Sequence, residues 1–300
     1  MDTVKNRMTD SVNGDTPAAF AGKIGLPEAF LEAAEPVCAV LAERDPDGLS
    51  ALIGEPDKTD YVRTSAEALG LDPDLVMLAA GILLGMNAHA AYREREIEDG
   101  IYYASMRELT VWSKTCLRER GHIGFYEWGW FINFLDASIV RLGRLEFHEV
   151  RFHDGFVWEK NGYAVRGGDK VINMHIPEDG PLDPEAVQDA FRRAYRYFGR
   201  SGPAFFVCDS WLLWPGNYDF LGPDSRIRAF MDNFDIIGRH DVKNCGDLWR
   251  VFGHRDNWDA ASLPRDTELR RRMADFLEKN GNVTGSGYGV FLFDGERVVK

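Results

Sequence analysis

The spacing of hydrophobic residues predicts that the first half of the chain is helical. After Pro27, apolar residues recur every three or four positions, as they do on one face of an amphipathic helix. Asp72–Pro73 supplies an N-cap residue followed by a proline in the first turn, which predicts the start of a long helix. The pattern predicts helices over 27–41, 73–91, 105–117 and 126–135.

In the second half, hydrophobic and polar residues alternate, as they do along β-strands. The alternation begins after Ala137 and places Arg144, Glu146 and His148 on one strand face. Asn161–Gly162 is a favoured hairpin turn pair. The pattern predicts strands over 140–152, 156–159, 163–165, 170–176, 204–208, 248–252 and 288–293, and helices over 183–199, 224–234 and 266–279.

Together, these patterns predict an α+β chain. We expect a disordered tail over 1–20, a helical N-terminal domain over 21–136 and a mixed α/β domain over 137–300. The longest apolar run, Leu75 to Met86, is 12 residues long, which is too short to span a bilayer. The first residues do not have the charged and apolar pattern of a signal peptide. We therefore expect a cytoplasmic protein that does not bind a membrane.

The charge distribution and the cysteine spacing indicate which partners and cofactors the chain is not expected to bind. Residues 1–138 hold 12 Lys and Arg against 23 Asp and Glu, whereas residues 139–300 hold 23 against 25. Nucleic acid is an unsuitable partner for such a chain, because phosphate contacts need a basic surface. The four cysteines form no CxxC pair, so neither a disulfide framework nor a zinc ribbon is expected. His148 and His153 do not complete a ligand set with Glu146, and we expect no catalytic metal.

Several stretches, in order, resemble one known family. They are Ile139–Phe147 (IVRLGRLEF), Val171–Pro177 followed by Gly180–Leu182, Cys208–Leu213 (CDSWLL) and Leu221–Ser225 (LGPDS). The chain is similar here to a bacterial family of two-domain acyltransferases, with a helical N-terminal domain and a GNAT-like C-terminal domain. The resemblance implies an acyl-CoA donor, with acetyl-CoA as the default, and an amine acceptor on an unidentified small molecule. The chain departs from the family in having Glu146 where Gln is common, and it lacks the R/Q-x-x-G-x-G/A loop of ordinary GNAT enzymes.

The resemblance also implies where the donor binds. GNAT-like domains hold the pyrophosphate at a helix N-terminus, where free N–H groups and the helix dipole favour an anion. The matching unit here is the strand that ends near Met174 and Ile176, the loop through Gly180, Pro181 and Leu182, and the helix that carries Arg192. Glu178, Asp179 and Asp183 bring negative charge to the same loop. A plain strand-to-helix connection and a solvated arginine face remain the alternatives.

Four side chains are candidates for the chemistry. Glu146 or His175 would accept the proton of the amine, and His175 is alternatively a donor to the developing oxyanion. Ser210 would donate a hydrogen bond to the thioester oxygen or to the leaving sulfur. The structural alternatives are a salt bridge between Glu146 and Arg144, a hydrogen-bonded core histidine, and an N-cap at Ser210. Cys208 is either a nucleophile or a small buried core residue.

Other functions stay open at this point. A non-catalytic ligand sensor on the same fold is the alternative to direct acyl transfer, because fold does not fix function. A route through Cys208 is a second alternative. The glycine-dense segment Gly285–Gly289 precedes a predicted strand and does not open a helix, which is unlike a phosphate-binding loop.

Overall fold

The chain forms two compact units. The computed structural model describes residues 16–44, 49, 59–243, 246–253 and 258–299. The first unit is Met1–Leu142 together with Pro177–Asp179, and the second is Gly143–Ile176 together with Gly180–Lys300. A helical first part and a mixed α/β second part confirm the predicted α+β class.

The first unit is built from helices around a central one. The central helix, α4, spans Pro73–Glu94 and contacts the five other described helices of this unit. Its N-terminus is capped as the sequence predicts, because the Asp72 side chain accepts a hydrogen bond from the Asp74 N–H. The described elements are α1 (Pro17–Ile24), α2 (Glu28–Arg44), α3 (Thr59–Leu69), α4, α5 (Asp99–Arg120), α6 (Trp128–Leu135) and the short strand β1 (Val140–Leu142).

Helix α4 is apolar because it is the core of this unit. It is long and apolar enough to cross a membrane by length and composition, but most of its apolar stretch is buried inside the protein. Two glycines let neighbours approach closely: a Cβ at Gly81 would lie 2.7 Å from Leu109, and one at Gly85 would lie 2.9 Å from Phe20. The Tyr102 hydroxyl also donates to the Gly85 carbonyl at 2.8 Å. A core helix passes the same membrane test.

The predicted disordered tail is wrong at its C-terminal end. Residues 1–15 lie outside the described residues, but Thr16 caps α1, which begins at Pro17. Phe20 is fully buried and contacts the Tyr102 ring. The short helix therefore contributes a buried aromatic side chain to the first unit.

The second unit contains a mixed sheet. Its strands lie in the order β2-β5-β6-β8-β7, with β9 on β8, and β3 and β4 form a separate hairpin. Only β5 and β6 pair in parallel among these described strands. The strands are β2 (Leu145–Arg151), β3 (Val157–Lys160), β4 (Tyr163–Arg166), β5 (Lys170–His175), β6 (Ala204–Ser210), β7 (Asp235–Lys243), β8 (Val283–Phe293) and β9 (Val298–Val299).

Helices and short turns connect these strands. The largest is α7, whose N-cap Asp183 matches the sequence prediction. A 3-10 turn, Trp211–Leu213, follows β6 directly. The helices are α7 (Pro184–Tyr197), α8 (Asn217–Phe220), α9 (Arg226–Met231), α10 (Trp249–Phe252) and α11 (Glu268–Asn280), and the other 3-10 turns are Gly246–Leu248 and Ala260–Ser262.

Three strand predictions need correction. The strand predicted over 140–152 is interrupted at Gly143, which has φ = 73°, so β1 and β2 are separate. The strand predicted over 248–252 is helical instead, as α10. The nine-residue strand β7 was not predicted, because it lies at an edge of the sheet and carries several exposed charged residues, such as Arg239 and Asp241.

The two faces of the sheet are covered differently. On one face, Phe191 of α7 packs against Phe206, Phe291 and Phe293. On the other, the hairpin contributes Trp158 and Val165 to a cluster with Val171, Val207 and Val290. Polar residues follow this second cluster along β2 and β5, and they form the candidate site.

Candidate active site

Four polar side chains lie together on β2 and β5. In the antiparallel register, Glu146 is opposite His175, and His148 is opposite Asn173. Residues opposite each other share a face, and so do residues two apart on one strand. We call Glu146, His148, Asn173 and His175 the polar strip. The sequence pattern predicts Glu146 and His148 on one face, but not their contact with β5.

Three nitrogen atoms converge in the polar strip. The two Nε2 atoms of His148 and His175 are 3.1 Å apart. The Asn173 side-chain amide lies 2.9 Å from the His148 Nε2 and 3.2 Å from the His175 Nε2. Asn173 therefore contacts both rings. It was missed in the sequence, although its spacing two residues before His175 was the available signal.

Burial keeps both imidazoles neutral. Burial lowers the pKa of His148. Burial, and then the charge of the neighbouring His148, lower the pKa of His175 to about 3. Because a charged imidazole loses its hydration in such a place, the rings hold unprotonated nitrogen atoms at neutral pH. This is the protonation state that a general base needs.

Glu146 lies beside the imidazole pair. Its side chain is 1% exposed, and its main chain is in register with His175. A buried carboxylate in this position is able to accept a proton or to stabilise a nearby positive charge. The structure therefore leaves both sequence candidates for the base, Glu146 and His175, on the same face.

The loop after β5 begins with two acidic residues that are paired. Within the first unit, the Arg141 Nη2 donates a hydrogen bond to Asp179 at 2.9 Å, and the Arg141 Nη1 lies 2.7 Å from the other carboxylate oxygen. Arg107 lies 3.6 Å from the same carboxylate. Glu178 lies 2.9 Å from Arg118. The sequence suggested that these acids oppose an anion at this loop. Arginines neutralise them in the structure, which weakens that objection.

Arg144 fixes the second part of this loop. In the second unit, its guanidinium donates to the Gly180 carbonyl at 2.6 Å and to the Pro181 carbonyl at 2.9 Å. In a trans peptide, the C=O and N–H point in opposite directions, so the Leu182 N–H points away from Arg144. The N–H groups of Gly180, Leu182 and Asp183 have no acceptor among the described residues.

The next N–H groups belong to the start of α7. The Asp183 side chain accepts from the Glu185 and Ala186 N–H groups at 3.1 and 3.2 Å. The Asp183 carboxylate therefore occupies the N–H groups of the first turn, so only the N–H groups of the preceding loop are available to an anion. The loop also carries the positive end of the helix dipole.

The other residues predicted to bind the acyl donor differ in their exposure to solvent. Gly180 and Pro181 are exposed, and Leu182 is buried. Ile176 is half-buried at the end of β5. The Met174 side chain is 1% exposed and points to the opposite face from His175, so we correct the expectation that this side chain contacts the donor.

Arg192 does not belong to the loop. It lies eight residues after Pro184, the first residue of α7, which is more than two helical turns away. Its half-buried side chain is therefore remote from the helix N-terminus along the axis. The structure therefore places Arg192 apart from the loop at which the resemblance implies the phosphate contact.

Parallel strands β5 and β6 lose their register beside the polar strip. They pair at Ile172–Phe206 and Asn173–Val207, and Asn173–Val207 is the last registered pair among the described residues. Both strands nevertheless continue, to His175 and to Ser210. The strand ends therefore lie beyond the last shared register, next to Asn173 and His175.

The two candidate residues on β6, Ser210 and Cys208, each have a structural role. The Ser210 hydroxyl oxygen accepts from the Leu212 N–H at 3.2 Å and caps the 3-10 turn. Cys208 is completely buried, and burial, followed by the charge of Asp209, raises the pKa of its thiol. A thiol that is inaccessible and protonated is a poor nucleophile. The structure thus contradicts the route through Cys208.

Glycines in β8 let the turn after β6 pack closely. A Cβ at Gly287 would overlap the Leu213 carbonyl, and one at Gly285 would overlap the His240 carbonyl. At Gly289, the Cβ would lie 2.8 Å from the Leu213 side chain. The glycine-dense segment is therefore explained by this packing, and it holds the turn next to the end of β6.

Sequence reasoning missed a second cluster, which lies in the first unit. Ligand atoms of Asp74, Cys116 and His122 lie within 4.8 Å of one another. Arg120 also contacts both oxygens of Asp74, at 2.8 and 2.6 Å. The pKa of the Cys116 thiol is raised to about 12, mainly by burial. An arginine on the carboxylate and a protonated thiol are typical of a structural clamp. We call these four residues the Asp74 clamp.

Family models match both parts of the chain. Residues 21–137 match an N-acyltransferase N-terminal domain, and residues 139–291 match a GNAT-like C-terminal domain. No protein of curated function matches this chain in sequence.

Solved acyltransferase structures share the fold. One, in complex with decanoyl-CoA and teicoplanin, is 18% identical, with a TM-score of 0.70; the match covers 95% of this chain and 92% of that one. Another, a mutant acyltransferase in complex with octanoyl-CoA, is 19% identical, also with a TM-score of 0.70, and the match covers 91% and 86%. At this identity, the likeness shows the two-part fold.

Proposed function

Since the chain belongs to the acyltransferase family that combines an N-acyltransferase N-terminal domain with a GNAT-like C-terminal domain, we propose that it transfers an acyl group from acyl-CoA to an amine of a small molecule. One observation carries the proposal: the neutral imidazole of His175 ends β5 beyond its last register with β6. We therefore propose this imidazole as the base and the ends of the two strands as the place where the thioester binds.

The loop before α7 is the proposed site for the donor pyrophosphate. The free N–H groups of Gly180, Leu182 and Asp183 are donors of the kind that bind phosphate at a helix N-terminus. Arg144 holds the Gly180 and Pro181 carbonyls, so it keeps these oxygens away from the anion. This arrangement takes the place of the R/Q-x-x-G-x-G/A loop that the chain lacks.

Direct transfer needs one base and one acid step. His175 removes a proton from the acceptor ammonium, and the neutral amine attacks the thioester carbonyl carbon. A C–N bond forms, the C–S bond breaks, and the thiolate takes the second amine proton to leave as CoA thiol. The products are an amide, CoA thiol and a protonated base. Neither step uses the buried Cys208 or the capped Ser210 as a nucleophile.

The acyl chain is proposed to be longer than acetyl. Similar folds hold decanoyl-CoA and octanoyl-CoA, which favours a medium-length chain over the acetyl default. One of them also holds teicoplanin, which supports a small-molecule acceptor. The excess of acidic residues over 1–138 favours a cationic amine among the acceptors.

Calorimetry with acetyl-CoA, octanoyl-CoA, decanoyl-CoA and CoA tests the donor site. We expect micromolar binding that is tightest for the longer chains, and release of CoA thiol when an amine acceptor is added. Arg144→Gln should weaken donor binding about tenfold, whereas Arg151→Gln, which changes an exposed arginine at the end of β2, should leave it unchanged. Absence of binding to all four compounds would contradict the proposal.

Turnover separates the enzyme from the sensor. If acyl-CoA binds but a panel of amines releases no CoA thiol beyond the rate in buffer, the protein is better described as a ligand sensor. The depressed pKa of His175 favours that alternative, because a base of such low pKa takes a proton from an ammonium only with support.

A further inference from the structure

We infer that His148 is the second half of the base: when His175 takes a proton from the acceptor ammonium, its Nε2 proton moves to the Nε2 atom of His148. This inference rests on the proposed function. It makes His148 a positioning and proton-sharing residue that acts through His175, without contact with the substrate.

The distance between the two rings carries the inference. Two imidazole nitrogen atoms at 3.1 Å repel each other if both present lone pairs, and they attract each other if one carries a proton. The structure therefore favours one Nε2–H that donates to the other Nε2. An amide N–H donates only to an unprotonated ring nitrogen, so the Asn173 nitrogen, 2.9 Å from the His148 Nε2, favours His148 as the acceptor of the pair. The longer contact, 3.2 Å to the His175 Nε2, is then not a hydrogen bond.

The direction of transfer follows from burial. His175 is the more deeply buried ring, and its pKa is lowered both by burial and by the charge of His148. His148 has its pKa lowered by burial alone. A positive charge is therefore less costly on His148 than on His175. A proton that enters at the His175 nitrogen facing away from the pair is best accommodated if the charge moves on to His148.

Other titratable groups of the same unit share this face of the sheet. Glu146 is in register with His175, and a carboxylate there would favour a proton on either ring. Asp209 and Tyr288 face each other across β6 and β8, and His153 contacts the Tyr288 ring. Among these groups, direct Nε2 contact with His175 is made by His148.

The proton balance of the step is simple. The acceptor ammonium loses one proton to His175, and His175 passes its Nε2 proton to His148. The pair gains one proton and one positive charge in total. After the amide and CoA thiol have left, His148 returns the proton to solvent. At no point in the step are both imidazoles positively charged.

A nuclear magnetic resonance titration tests the pair without substrate. The protein labelled with ¹⁵N-histidine is titrated, and His148→Gln and His175→Gln assign the two rings. We expect both rings to respond in one protonation step, and the His148 step to shift in His175→Gln. Independent titration of the rings, with the His148 step unchanged in His175→Gln, would overturn the inference.

Kinetics give a second readout. We expect His148→Gln to lower kcat about tenfold to a hundredfold, with little change in KM for acyl-CoA, because loss of a base costs about 10² to 10⁴ in rate. The double variant should be no slower than His175→Gln, since the rings act as a unit. His240→Gln, an exposed histidine on β7, is the matched control.

The outcomes keep the two proposals apart. If the wild-type protein transfers no acyl group, the proposed function fails, while the titration still decides whether the rings share a proton. If transfer occurs and His148→Gln retains the wild-type kcat and pH profile, the proposed function stands and His148 is not part of the base.

Discussion

Two clusters of polar side chains, one in each unit, use histidine in opposite ways. In the Asp74 clamp, His122 contacts a carboxylate at 2.9 Å, and Arg120 supplies a fixed positive charge to the same group. In the polar strip, His148 and His175 contact each other, and burial keeps them neutral. Fixed charges that are paired give stability, whereas neutral groups that face each other retain the ability to take up a proton.

The difference is also visible in what each cluster connects. The Asp74 carbonyl accepts from the Phe125 N–H at 2.8 Å, and a Cβ at Gly124 would lie 2.5 Å from the Asp74 side chain. The clamp therefore joins the start of α4 to the segment after α5. The polar strip spans only two neighbouring strands. We expect its removal to cost activity before it costs stability.

Removal of the base should have the largest effect. We expect His175→Gln to lower kcat by about 10² to 10⁴, because the acceptor amine then keeps its proton. The melting temperature should change little, since Gln can still hydrogen-bond. Steady-state release of CoA thiol measures the change. A variant that is as fast as the wild type would end the interpretation of the polar strip as an active site.

Removal of the clamp should act on stability instead. Asp74→Ala leaves Arg120, His122 and the Cys116 thiol without their shared acceptor, and we expect a loss of about 2–3 kcal/mol in the free energy of unfolding. Urea denaturation measures it. The matched control is Asp60→Ala, because Asp60 forms an exposed ion pair with Arg63, which should contribute almost nothing.

Donor binding gives a further contrast with the clamp. If Asp74→Ala also abolished binding of acyl-CoA at a temperature where the variant is folded, the division between a stabilising cluster and a reactive one would be wrong.

The pH dependence of stability should separate the two clusters further. The folded pKa of His175 lies far below the ordinary value of 6.5, so the unfolded chain binds this proton first as the pH falls. Stability is then greatest above pH 6.5 and decreases from there toward pH 3, by at most about 1.4 kcal/mol per pH unit.

Denaturation of the wild type and of His175→Gln at several pH values measures this contribution. We expect the variant to show a shallower decrease between pH 6.5 and 5, while Asp74→Ala keeps the wild-type slope there. Equal slopes for the wild type and His175→Gln would show that the pKa of His175 is the same in the folded protein as in the unfolded chain, which contradicts this prediction.

The sequence predicted the elements that depend on local chemistry. Asp72 and Asp183 form the helix caps that their Asp–Pro pairs indicate, and Asn161–Gly162 forms the hairpin turn with both residues at positive φ. Glu146 and His175 were identified through family resemblance and strand alternation. Their direct opposition depends on the register between β2 and β5, which no single strand specifies.

Features that depend on distant contacts were not predicted. Strand β7 has a charged, exposed pattern because it lies at a sheet edge, so its alternation is weak. The role of Asn173 requires knowledge of what lies across the sheet. The pairing of Glu178 and Asp179 with arginines likewise depends on residues far away in the chain, and it weakens the repulsion of an anion that the sequence predicts at this loop.

Two buried thiols provide the smallest test of the comparison. Cys116 donates to Asp74 at 3.7 Å as part of the clamp, whereas Cys208 lies in the core of the second unit, completely buried. Cys208→Ala removes only a small apolar contact, so we expect a loss of about 1 kcal/mol in the free energy of unfolding and an unchanged kcat. Cys116→Ala additionally removes a donor to Asp74. Loss of turnover in Cys208→Ala, with donor binding intact, would instead restore a covalent route and remove the polar strip from the centre of the mechanism.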